Sequence, residues 1–67
     1  SNFYDSLIGN MTDMELLTYN YLVNGNIDVD MCFSLCNQYL FSNDKHNQFY
    51  HIPILIHLLN EIDTNLG

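Results

Sequence analysis

The stretch TDMELLTYNYLVNG, residues 12–25, constrains the chain more than any other, because it fixes a helix at both ends and gives it two apolar sides. Thr12 is placed to accept from the amide of Glu15, and Glu15 to reach back to the amide of Thr12. This reciprocal capping box marks a helix start and contributes about 1 kcal/mol. Asn24-Gly25 suits a left-handed C-terminal cap, so a helix is predicted over Asp13–Val23. On a helical wheel Met14, Leu17 and Tyr21 form one apolar stripe. Leu16, Tyr19 and Val23 form a second, separated from the first by Asp13 and Asn20 on one side and by Glu15 and Thr18 on the other. A surface helix needs only one such stripe. The second requires another helix, another subunit or a partner.

Two further helices follow from periodicity. Residues 28–41 place Val29, Cys32, Phe33, Leu35, Cys36, Tyr39 and Leu40 on one arc, with Asp30, Ser34, Asn37 and Gln38 opposite. SNDKHN, residues 42–47, reads as a turn-rich loop. The last helix is expected over Pro53–Asp63, because proline suits a first helical position; NQFYHI before it is either extended or a helix kinked at the proline. Its stripe is Ile54, Leu55, Leu58, Leu59 and Ile62, with Ile56 at the margin, and Asn65 and Gly67 suit a frayed end. At the other terminus NFYDSLIGN reads as one or two helical turns, with Asn2 as cap and Gly9 as stop. The expected fold is all-α: a small bundle of three main helices with a short N-terminal helical segment, the first two main helices forming an αα-hairpin. Residues 1–67 form one domain, with 1–10 read as a leader or partly tag-derived segment and Met11 or Met14 as a natural start.

Composition limits what this bundle does. With 67 residues, 48% of them apolar, the chain is too hydrophobic for disorder and near the lower limit for a self-sufficient core. A fold completed by a second copy or a partner is expected. Eight acids face one lysine, Lys45, and no arginine, for a formal net charge of −7. Direct nucleic-acid binding needs several Lys or Arg side chains to neutralise phosphate, so it is disfavoured; a basic protein surface is the favoured partner. The longest apolar run, IPILIHLL, falls short of a bilayer span, and no basic n-region marks a signal peptide. A cytoplasmic location is expected, with no membrane contact.

Reactive chemistry finds little support. NGNIDVD, residues 24–30, alternates oxygen-bearing side chains as a calcium loop does. Counted from Asn24, however, Val29 stands where an EF-hand needs glycine and Leu35 where it needs a bidentate glutamate. The hinge reading uses every residue: Asp28 caps the next helix and Ile27 staples against Cys32. Cys32, Cys36, His46 and His51 make C-x3-C-x9-H-x4-H, a zinc-like order with too short a middle spacer. Both cysteines fall within the core arc, where free cysteine acts as a small hydrophobe. A bridge between adjacent helical turns has poor geometry. His57 precedes Glu61 by one turn, a pairing more often solvated than catalytic. No catalytic residue, metal or cofactor is assigned, and the chain is expected not to be an enzyme. Tyrosine suits interfaces, so Tyr19 is the expected anchor for a partner, with Leu16 and Val23 beside it and Asp13 and Glu15 as its acidic rim.

In length, in its lysine-poor acidity and in the two-sided helix TDMELLTYNYL, the chain resembles the small acidic proteins with which phages and mobile elements block host enzymes. Within that class it is similar to the staphylococcal-phage inhibitors of the bacterial helicase loader. That resemblance implies a non-enzymatic inhibitor of a host protein, binding the AAA+ ATPase domain of the loader and so halting DNA replication. It carries over no contact residues. A homodimeric structural or regulatory helical module is the alternative, and homo-oligomerisation is expected under both readings. A helix-turn-helix DNA binder fits the outline but lacks basic side chains in any recognition helix.

Overall fold

The computed structural model describes residues 2–66; it is all-helical, with four helices and no strand among those residues. Helix α1 spans Asn2–Gly9, α2 Asp13–Asn24, α3 Val29–Leu40 and α4 Lys45–Leu66. Ser1 and Gly67, the latter expected at a frayed end, lie outside the described residues, and Asn65 is still helical.

Local chemistry sets most boundaries. At the start of α2 the Thr12 amide donates to Glu15 Oε1 at 2.9 Å and the Glu15 amide donates to Thr12 Oγ1 at 3.2 Å. At its end Gly25 takes φ 69°, the left-handed conformation that costs glycine little and other residues more. Its amide donates to the Tyr21 carbonyl, and the Asn26 amide to that of Asn20. Asp28 then caps α3, its Oδ1 accepting from the Met31 amide at 3.1 Å. Of Ile27 and Cys32, expected as a staple, Cys32 lies in the central core and Ile27 is half-buried against that core. Asn2 is itself the first helical residue of α1 rather than a cap outside it.

Two expectations are corrected at the far end. The loop is shorter than residues 42–47, and the last helix begins at Lys45, eight residues before Pro53, which sits inside it. Asp44 is the cap: its Oδ1 accepts from the Asn47 amide at 3.2 Å and its carbonyl from the Gln48 amide at 3.0 Å. An interior proline leaves the carbonyl four residues earlier, on Phe49, without its helical donor and costs about 3 kcal/mol. Tertiary ties hold the first half of α4 helical despite this. The Gln48 side-chain amide donates to the carbonyls of Tyr39 and Leu40, both at 3.1 Å, so α4 caps the end of α3. The His51 ring packs on Tyr39 with centroids 4.6 Å apart. Pro53 and Phe49 both face outward, where water is free to solvate the orphan carbonyl.

The core is shared by α2, α3 and α4. Met14 and Leu17, Cys32 and Leu35, and Leu55, Leu58 and Ile62 form one buried cluster, with Tyr21, Ile27, Met31, Cys36, Tyr39 and Leu59 packed against it. The expected stripe Met14–Leu17–Tyr21 therefore faces inward, while Leu16 and Val23 lie on the outward side of α2 and Tyr19 is half-buried between the two. The expected arc of α3 is wider than what its neighbours cover, because Val29, Phe33 and Leu40 are exposed. Helix α1 adds nothing to the core: every side chain from Phe3 to Ile8 is exposed, and α1 forms no packed interface with the other helices comparable to that between α3 and α4. The result is a flattened molecule of 36 × 33 × 16 Å with a radius of gyration of 12.9 Å. A closely packed chain of this length would have a radius of about 11 Å.

Candidate functional site

No group of three His, Cys, Asp or Glu side chains stands close enough to hold a metal ion among the described residues. Cys32 and Cys36 are free thiols. Cys32 is fully enclosed in the core, and burial, reinforced by Cys36 beside it, pushes its thiol up to about 11. A thiol held protonated is neither a nucleophile nor a metal ligand at neutral pH. His57 Nε2 lies 3.9 Å from Glu61 Oε1, the pairing expected from their spacing. It also lies 3.0 Å from the Tyr21 hydroxyl of α2, a partner 36 residues away that no local pattern announces. Both His57 and Glu61 are open to solvent, so the trio ties α2 to α4 rather than enclosing a substrate.

The apolar surface is more informative. Beside the shared core an open groove runs between α2 and α4, bridged by the Tyr21–His57 tie. Thr18, Tyr21 and Leu22 form one wall of its central part, and Pro53, Ile54 and His57 the other, with Leu58 also lining it. It continues toward the start of α2 between Glu15 and Tyr19 on one side and Tyr50 and His51 on the other. Leu22 is 73% exposed here although it stands beside the core. A second apolar strip runs along the junction of α3 and α4, where Cys36, Leu40, Ile52, Ile56 and Leu59 meet with no charged residue among them. Helix α1 carries a third: Phe3, Tyr4, Leu7 and Ile8 share one side of the helix, all exposed.

The sequence-predicted contact residues are divided by this geometry. Glu15 and Tyr19 lie together at the end of the α2/α4 groove. Leu16 and Val23 belong to the outward side of α2, Leu16 half-buried and Val23 exposed. Asp13 lines a different surface depression, with Asp28 and Asp30, toward α3. Glu15 is also engaged locally: donors from Thr12 hold its carboxyl below the usual glutamate range, so it caps α2 while keeping its charge. Sequence reasoning missed Leu22, Ile54 and Tyr50 as surface residues. The available signal was the proline: a helix continuing through Pro53 brings Tyr50 and Ile54 alongside α2.

These features define a small all-helical domain with uncovered apolar helix faces and no reactive cluster among its described residues. The family model described as phage head to tail associated domain matches residues 1–64, nearly the whole chain and all of α1. The chain belongs to this family and is a phage protein. No curated protein and no solved structure matches it. No helix among the described residues is long and apolar enough to cross a membrane.

Proposed function

We propose that this domain is a non-enzymatic association module of the phage particle, holding neighbouring proteins together where head meets tail. The observation that carries this reading is the family match over residues 1–64. The surface supports it in physical terms. Exposed apolar side chains recur on all four helices, and extended exposed patches of this kind mark protein contacts. One lysine and no arginine argue against a role in gripping DNA directly.

The inhibitor reading, in which the chain blocks a host AAA+ helicase loader, retains one supporting observation, the net charge of −7; the family match lends it nothing. Purified particles distinguish the two. Under the structural reading the chain is a stoichiometric particle component, and disrupting its gene leaves heads and tails unjoined. Particles that lack the chain and assemble normally without it would contradict the structural role, and arrest of host replication by the chain alone would restore the inhibitor.

A further inference from the structure

We infer that α1 is an exchange arm: its apolar side docks in the α2/α4 groove of a second copy of this chain. The inference rests on the reading of the domain as an association module and names the first partner as the chain itself. Two unmatched surfaces carry it. Helix α1 presents Phe3, Tyr4, Leu7 and Ile8 to solvent, while Asp5, its one charged residue, projects from the other side of the wheel. The groove presents Leu22 and Ile54 to solvent. An amphipathic helix laid in an apolar groove buries both.

In the structure the chain leaves its own groove unfilled, α1 departing from α2 through a short link. That link has three residues, and each backbone amide is already engaged. Asn10 donates to the Leu7 carbonyl and Met11 to that of Ile8, both at 3.2 Å. The Thr12 amide donates to Glu15 Oε1, and the Asn10 side chain donates to the Ser6 carbonyl at 2.7 Å. These bonds finish the end of α1 and the start of α2 separately, and none of them joins the two helices.

Charge selects the same occupant. A basic helix would seek free carboxylates along the groove. The central part has none, Glu15 standing only at one end. Two copies each bearing −7 repel where acid meets acid, so a self-contact belongs on an uncharged surface. Area is sufficient as well. One docked arm removes on the order of 800 Å² from water across both partners, and reciprocal exchange about 1,600 Å², the size of an ordinary specific interface.

The test uses the purified full chain in sedimentation velocity over a wide concentration range, with Leu7→Asp to spoil the arm and Leu22→Asp to spoil the groove. Both positions are exposed, so each variant is expected to keep the wild-type far-UV circular dichroism; should either lose it, Tyr4→Ser and Ile54→Ser replace them. Wild type is expected to dimerise, and each variant to associate more than about 30-fold more weakly. Mixed together, the two variants are expected to recover a 1:1 dimer weaker than wild type, because one intact arm meets one intact groove. A wild-type chain that stays monomeric at every concentration overturns the inference, leaving the groove to a different protein. Association unaffected by either substitution, or a mixture no better than its parts, overturns it equally. No other phage component is present, so the outcome is independent of whether the chain is found in particles.

Discussion

Helices α1 and α4 are made of similar material and meet opposite fates. Each carries bulky apolar residues on one side. In α4, Leu55 and Leu58 are each 1% exposed; in α1, Phe3 is 68% and Leu7 50% exposed. The difference is not one of hydrophobicity but of what stands opposite. The side of α4 bearing Leu55, Leu58 and Ile62 faces α2 and α3 across a common core, whereas α1 leaves the body through a three-residue link with its apolar side exposed. Apolar content in a chain this small therefore divides into surface that folds the monomer and surface that remains available to a neighbour.

Substitution separates the two regions most sharply. Leu58→Ala opens a cavity in the core and is expected to destabilise the monomer by about 2–5 kcal/mol. The same truncation at Leu7 is expected to change it by less than about 0.5 kcal/mol. Urea denaturation at a concentration where the chain is monomeric compares them directly. Equal costs at both positions would place α1 inside the cooperative fold.

A smaller effect tests the joint between arm and body. Donors from Thr12 lower the Glu15 carboxyl below its usual range. A depressed acid stabilises the folded state above its unfolded value, and the contribution disappears as pH falls through the folded value. The capping box is thus intact at neutral pH and releases below the ordinary glutamate value of about 4.3. In an acid titration followed by amide NMR, the Thr12 amide and the first turn of α2 are expected to loosen before the core, and Glu15→Gln to remove that step. Wild type and Glu15→Gln behaving alike in acid would break the link between this cap and the arm.

Much of the architecture was legible in residues 12–41 because its signals are local. Thr12 with Glu15, Gly25 and Asp28 act within four residues of their partners, and the stripe Met14–Leu17–Tyr21 faces inward as its spacing indicates. The start of α4 was hidden because the local rule at Pro53 was outweighed by distant contacts: Gln48 on the carbonyls of Tyr39 and Leu40, and His51 against Tyr39. The groove was hidden for a related reason. Whether Tyr19 and Asp13 share a surface depends on which side of α2 the other helices approach, and periodicity along one helix does not fix that. The second apolar side of α2 was visible; the exposure of Leu22 beside the core was not.

Hydrogen exchange measured as a function of protein concentration tests the central claim most directly. In dilute solution the amides of α3 and the second half of α4 are expected to be protected and those of α1 to exchange nearly freely. As concentration rises, protection should appear in α1 and along the groove-lining segments of α2 and α4 together. Amides of α1 that are protected equally at every dilution would mean its apolar side is covered within its own chain; amides that stay unprotected at every concentration would mean no second copy covers it. Either result contradicts the account.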